Sequence, residues 1–271
     1  MRPLLLDLFC GAGGAAMGYH RAGFDVVGVD INPQPNYPFE FFQGDAMAWV
    51  LDTYDPEYGF DAIHASPPCQ AYSAASHLPD HPDLYEEVRE LIEETGLPYV
   101  IENVPGAPFR SGITLCGSMF DLPVRRHRNF ETSFLVLRQP CDHSGERPYT
   151  ITGHAGAGDF AHHRGASAED GPKLMDCDWM TWTEACQAIP PAYTEYIGTQ
   201  LLAHLAPADP PRDRQECAFC KGAGNLAVAR VVGRKVFHDE RPCPKCGGSG
   251  HVPADPPREP TPDSTNERNQ P

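Results

Sequence analysis

The stretch Leu4-Leu5-Leu6-Asp7-Leu8-Phe9, running directly into Cys10-Gly11-Ala12-Gly13-Gly14, constrains this chain more than any other. An apolar run of strand length that meets clustered glycines and then a helical pattern over 15–22 opens a nucleotide-binding α/β domain. Glycines let a ligand approach the backbone, and the helix start offers free N–H groups. The glycines fall at Gly11, Gly13, Gly14 and Gly18 and not in the dinucleotide pattern Gly-x-Gly-x-x-Gly, so the turn alone does not name its ligand. The second strand, Asp25-Val26-Val27-Gly28-Val29-Asp30, ends in a carboxylate about 20 residues past the glycines, where a ribose hydroxyl needs an acceptor. A third strand, Glu40-Phe41-Phe42-Gln43, leads through Gly44 to Asp45, which stands at the same sheet edge and also suits the N-cap of a helix over 46–51.

The next strand, Asp61-Ala62-Ile63-His64-Ala65, leaves into Ser66-Pro67-Pro68-Cys69-Gln70. Two prolines fix φ and remove two backbone donors, giving a stiff, non-helical approach to a thiol. A polar segment to about residue 83 separates this loop from an amphipathic helix over 84–95, whose Leu84, Val88, Leu91 and Ile92 face the sheet. Gly96 stops the helix, and Pro98-Tyr99-Val100-Ile101-Glu102-Asn103-Val104-Pro105-Gly106 reads as a buried strand ending in a carboxyl and an amide. Burial raises a carboxyl pKa and keeps it protonated, which is what a proton donor needs. Residues 125–132 join a basic cluster to a strand-like run ending at Leu137. The region 138–176 lacks periodicity and reads as an irregular specificity insert; a helix over 192–205 closes the domain.

The fold class expected is therefore α/β, a Rossmann-like sheet over 1–205, followed by a linker at 206–215. The net charge of −16 argues against nucleic-acid binding by bulk electrostatics, and makes Arg125-Arg126-His127-Arg128 the local patch on which any such binding depends. The apolar run before Asp7 is too short for a signal peptide and no later run spans a bilayer, so the expectation is a cytoplasmic monomer without membrane contact. In that compartment ten cysteines argue for metal binding and catalysis over disulfides.

Taken in order, these pieces resemble the cytosine-5 DNA methyltransferase family. Phe9-Cys10-Gly11-Ala12-Gly13-Gly14, Pro67-Pro68-Cys69-Gln70, Glu102-Asn103-Val104, Arg126-His127-Arg128 and Ala188-Ile189-Pro190-Pro191 are similar to five of its motifs, and the small size is most like its compact bacteriophage enzymes. The resemblance implies S-adenosylmethionine as cofactor and DNA as partner, with the target cytosine flipped out of the duplex. It implies Cys69 as nucleophile and Glu102 as proton donor, with Arg126 and Arg128 positioning the base and its phosphate. It also implies a cofactor pocket of Phe9, Gly11, Gly13, Asp30, Ile31, Asp45, Ala46 and Pro67. RNA as substrate, or an inactive cofactor-binding adaptor, are the alternatives. The chain departs from the family at Val124, where a Gln is usual, and at Cys186-Gln187, where Gly-Asn is usual. The insert is short, which points to a very short recognition site or a relaxed sequence context.

Beyond the linker, Cys217-Ala218-Phe219-Cys220-Lys221-Gly222-Ala223-Gly224 and Cys243-Pro244-Lys245-Cys246-Gly247-Gly248-Ser249-Gly250 share the pattern Cys-x-x-Cys-x-Gly-x-Gly. Cys217, Cys220, Cys243 and Cys246 suit a tetrahedral structural Zn2+ site, with a hairpin around Gly233-Arg234 between the two knuckles. This module, 216–252, looks like half of the cysteine-rich domain of DnaJ-type chaperones, and its local Lys and Arg suit a DNA contact, with a protein partner as the rival. The tail, 253–271, has almost nothing to bury and should be disordered. Cys141, His143, His154, His162, His163 and Cys177 include no pair at tight zinc spacing, and polar loop residues are the better reading there than a second metal site.

Overall fold

The computed structural model describes residues 2–52, 59–72, 83–138, 140–151 and 164–206, and then 214–218, 221, 223, 225–232, 235–243, 245–247, 249 and 251–253. The chain divides into two compact units, Met1–Ala206 and Pro207–Pro271. In the first unit the strands are β1 (Leu4–Leu8), β2 (Asp25–Asp30), β3 (Glu40–Gln43), β4 (Ala62–Ala65), β5 (Tyr99–Asn103), β6 (Ile113–Leu115) and β7 (Arg128–Thr132). They form one sheet in the order β3-β2-β1-β4-β5-β7-β6. β1 to β5 run parallel and β7 runs antiparallel to both neighbours, so the fold is α/β with a mostly parallel sheet. Helices α1 (Gly14–Ala22), α2 (Ala46–Asp52) and α3 (Tyr85–Glu94) connect the parallel strands. The central strands are buried on both faces: Leu5, Leu6, Ile63, Val100 and Ile101 are fully enclosed, the near-continuous apolar pattern of a sheet covered on two sides.

The region after β7 is less irregular than its sequence suggests. It holds two short strands, β8 (Tyr149–Thr150) and β9 (Arg164–Gly165), then α4 (Asp170–Leu174), α5 (Trp182–Gln187) and α6 (Pro191–Leu205). The strand-like run expected to reach Leu137 stops at Thr132, and Leu135 and Leu137 lie exposed. α5 opens with a capping box: the Thr181 side chain accepts from the Glu184 N–H, and the Glu184 carboxylate accepts from the Thr181 N–H. α6 packs on α1 at close range. A Cβ on Gly14 would stand 2.4 Å from the Ile189 carbonyl oxygen and one on Gly18 2.1 Å from that of Pro191, so these glycines serve helix packing. Thr194 Oγ1 donates to the Ala15 carbonyl at 2.8 Å across the same contact.

Arg89 of α3 carries a charge and is fully buried. Its Nε and Nη2 donate to Glu131 of β7 at 2.8 and 3.0 Å, a bidentate pair that ties α3 to the sheet. In the second unit β10 (Arg214–Glu216) pairs with β13 (His251–Pro253), and β11 (Asn225–Val232) forms an antiparallel hairpin with β12 (Lys235–Pro242). Cys220, His154, His162, His163, the segment 73–82, residues 207–213 of the linker and residues 254–271 of the tail lie outside the described residues, while Arg214 and Gln215 of the expected linker belong to β10 and Pro253 of the expected tail to β13. Among the described residues no helix is long and apolar enough to cross a membrane.

Candidate active site

Because β1 to β5 are parallel, everything that follows them emerges at one edge of the sheet. The strand order reverses direction between β1 and β4, and open α/β sheets bind ligands at the carboxyl edge beside such a switch point. Phe9 and Asp45 follow β1 and β3, and Asp30 ends β2, on one side of it. Cys69 follows β4, and Glu102 and Asn103 end β5, on the other.

On the first side the contacts are to backbone. The Asp30 carboxylate accepts from the Gly11 N–H at 3.0 Å and from the Asn32 N–H at 2.8 Å, which joins the glycine turn to the end of β2. Phe9 and Gly11 both take positive φ, 57° and 50°, and a Cβ on Gly11 would meet nothing within 4 Å, so the backbone here faces open space. Gly13 differs, since a Cβ there would lie 2.8 Å from Pro38 and 3.0 Å from Tyr37. Asp45 is exposed and caps α2, accepting from the Ala48 N–H at 2.9 Å. Ala46 is buried, while Ile31 is 62% exposed, an unusual setting for so apolar a side chain. Under the turn, Asp7 is enclosed with Oδ1 unpartnered among the described residues, and burial drives its pKa well up.

The second side is built from side chains. Asn103, buried, donates from Nδ2 to the Pro67 carbonyl at 3.0 Å and accepts from the Val104 N–H at 2.8 Å, locking the end of β5 to the Pro-Pro-Cys loop. Pro67 is buried and Cys69 is partly open to solvent. Glu102 is 6% exposed, with Oε1 3.0 Å from Arg128 Nε and a hydrogen bond from Ser66. Burial raises its pKa, against the pull of Arg128, Arg126 and Ser66.

Behind Ser66 runs a buried chain of hydrogen bonds, His64 Nε2 to Ser66 Oγ at 2.9 Å and Tyr19 Oη to His64 Nδ1 at 3.0 Å. Burial pushes the His64 pKa down to about 3, so the ring is neutral and relays hydrogen bonding without adding charge. Neither Ser66 nor His64 stood out in the sequence; the available signal was a polar residue inside the apolar strand Ala62-Ile63-His64-Ala65.

Arg126 and Arg128 part company. Arg128 meets Glu102, whereas Arg126 donates to the carbonyls of Ile151 at 2.9 Å and Cys186 at 2.6 Å, pinning the insert and the end of α5 to the approach of β7. Its Nε is buried without a partner among the described residues, and burial first, then the Arg128 charge, lowers its pKa to about 9. Val124 is 2% exposed, in an apolar cluster with Ala12, Ile151, Met175, Cys177 and Met180. An amide there would enter that cluster without a partner, so the apolar residue follows from its packing. In the second unit Cys217, Cys243 and Cys246 hold their sulfurs within 4.8 Å of one another, with Cys217 and Cys243 3.9 Å apart.

The class of the fold is that of a methyltransferase from Entamoeba histolytica, EhMeth, whose solved structure superposes with a TM-score of 0.50 at 13% identity, covering 76% of this chain and all of that one. Residues 4–108 match the family described as C-5 cytosine-specific DNA methylase, with type II methyltransferases among the relatives. M.NgoMIV of Neisseria gonorrhoeae is 33% identical over 113 residues, 37% of this chain and 35% of its own length. M.XorII of Xanthomonas oryzae is 32% identical over 122 residues, 39% of this chain and 29% of its own. M.HgiDI of Herpetosiphon aurantiacus is 32% identical over 82 residues, 26% of this chain and 25% of its own. The chain thus matches about a quarter to a third of the length of these curated relatives.

Proposed function

We propose that this protein transfers a methyl group from S-adenosylmethionine to carbon 5 of cytosine in DNA, through a covalent adduct with Cys69. The observation that carries the reading is the convergence at one sheet edge of a loop-mounted thiol, a buried carboxyl held by Arg128 and Ser66, and an open glycine turn joined to Asp30.

The residues on the cofactor side suit S-adenosylmethionine. Asp30 and Asp45 offer acceptors for ribose hydroxyls and an exocyclic amine, exposed Ile31 and half-buried Phe9 offer apolar surface for a base, and the open backbone at Gly11 admits close approach. Gly13, Ala46 and Pro67 shape the turn, the floor and the loop around them. When bound there, the cofactor supplies an electrophilic methyl group.

Carbon 5 of cytosine is too weak a nucleophile to take up that group unaided. The Cys69 thiolate adds to carbon 6, and the electrons of the 5,6 double bond move toward carbon 5. Glu102, protonated, donates to ring nitrogen 3 and stabilises the charge that develops. Arg128 holds the carboxyl at Oε1, and Ser66 adds a hydrogen bond to it. Once carbon 5 is methylated, water takes its proton, the electrons of that C–H bond re-form the 5,6 double bond, and sulfur leaves carbon 6 with its bonding pair as the Cys69 thiolate. The base must leave the duplex for this attack. Arg126 shapes the pocket wall through its two carbonyl contacts. We further propose that Cys217, Cys220, Cys243 and Cys246 bind a structural zinc ion, and that Lys221, Arg230, Arg234, Lys235 and Arg241 give that module a DNA-binding character.

Tritiated methyl transfer to DNA and to RNA, with trapping on DNA containing 5-fluorocytosine, tests the reading. A covalent adduct dependent on Cys69 and label in DNA are expected. Label only in RNA, or none with either, overturns it.

A further inference from the structure

Four residues outside the site just described come together where the insert meets the sheet. Cys116 follows β6, His127 lies between Arg126 and Arg128 just before β7, and Cys141 and His143 stand at the start of the insert. Their ligating atoms all lie within 4.8 Å of one another. Cys116 Sγ is 3.4 Å from His143 Nε2, and Cys141 Sγ is 3.7 Å from His127 Nε2. With Zn–S near 2.3 Å and Zn–N near 2.0–2.1 Å, a sulfur–nitrogen edge of a zinc tetrahedron measures about 3.6 Å. Both distances sit beside that value, on opposite edges.

We infer that Cys116, His127, Cys141 and His143 form a structural Cys2His2 zinc site that clasps the insert to the strand carrying Arg128. Two thiolates balance the charge of the ion, and two thiolates with two imidazoles are the soft and borderline donor set that selects zinc over magnesium or calcium. The surroundings hold the ligands in place. The Ser118 hydroxyl donates to Cys116 Sγ at 3.4 Å, and Arg125 Nη2 donates to the His143 carbonyl at 2.7 Å. The His127 and His143 rings stand edge to face, 5.1 Å between centroids at 78°, so neither blocks the other's nitrogen. A pair of simple thiol–imidazole hydrogen bonds needs only two couples; it gives no reason for four donors from three separate segments to share one point. The site is distinct from the four-cysteine module, and its place in the sequence gives it a role: it would position the insert and Arg126 relative to Arg128 and the rest of β7.

The test measures metal in the full-length chain. Cys217→Ser/Cys243→Ser, which disables the C-terminal cluster, should retain one equivalent of zinc by elemental analysis. Adding Cys141→Ser/His143→Ala should remove that equivalent. Cobalt(II) added to the metal-stripped Cys217→Ser/Cys243→Ser chain should give the visible bands of a tetrahedral ion with sulfur charge transfer, and Cys141→Ser alone should cut the charge-transfer intensity roughly in half, in proportion to the thiolates left. No zinc and no tetrahedral cobalt spectrum in the chain lacking the C-terminal cluster, or the same zinc content with and without the Cys141→Ser/His143→Ala change, overturns the inference. Circular dichroism accompanies each variant, and the cobalt titration reads the site even if the quadruple variant fails to fold. The outcome does not depend on methyl transfer.

Discussion

The two sides of the switch point are built on different principles. On the β1–β3 side, Asp30 and Asp45 accept from backbone N–H groups, and Ile31 and Asp45 stand open to solvent. On the β4–β5 side, Ser66, Glu102, Asn103 and His64 hold one another or the loop, mostly through buried side chains. A ligand pocket can be shaped by backbone and left partly wet, because binding tolerates water. A group that is to donate a proton needs a dry place, because water would return its pKa to the ordinary range.

Substitutions on the two sides should therefore fail in different ways. The largest effect is expected for Cys69→Ala, which should take methyl transfer to background, a loss of more than about 10⁴-fold, while calorimetry still detects S-adenosylmethionine binding. Glu102→Gln should lower the transfer rate by about 10²–10⁴-fold and change its pH profile. The folded-state pKa of Glu102 is raised, so the donating form is complete at low pH and is lost as pH rises through that value. The wild-type rate should carry that descending limb and the Gln variant should not. Asn103→Ala releases the Pro67 carbonyl and lets the thiol wander; about a 10²-fold fall in kcat in steady-state assays, with little change in cofactor KM, is the expected signature. Asp30→Ala should do the reverse, raising cofactor KM about tenfold, roughly 1.4 kcal/mol, and affecting kcat less. Tyr19→Phe, at the far end of the relay, leaves His64 Nδ1 unpaired and should cost about 1 kcal/mol in denaturant unfolding, with only a small change in rate. If Asn103→Ala and Asp30→Ala shift kcat and KM alike, the division between the two sides fails.

The parallel sheet and its edge were legible because each depends on local sequence: apolar runs, glycines, and a carboxylate or thiol just after a strand. What depends on distant packing was not. Gly14 and Gly18 read as ligand-loop glycines, yet their missing side chains make room for Ile189 and Pro191, far along the chain. Arg89 shares the buried face of α3 with Tyr85, Val88 and Ile92, and what the sequence does not show is Glu131 of β7, which meets its charge there. Val124 looked like a lost polar contact until its apolar neighbours were in view. The Cys116, His127, Cys141 and His143 cluster escaped because two of its ligands lie before the insert and only folding brings them beside the other two. α5 was missed although its capping box, Thr181 and Glu184, stands in the sequence.

The clasp of α6 against α1 also has a temporal meaning. Thr194 meets Ala15, and the Ile189 and Pro191 carbonyls close over Gly14 and Gly18, so a turn made among the first residues is completed by a partner some 180 residues later. At ribosomal speeds of about 5–20 residues per second, the emerging turn waits on the order of ten to forty seconds for that partner. Contacts of such long range also slow folding in the finished chain. The nascent protein would therefore pass through a stage in which the thiol loop and β5 have been synthesised and the glycine turn still lacks its support.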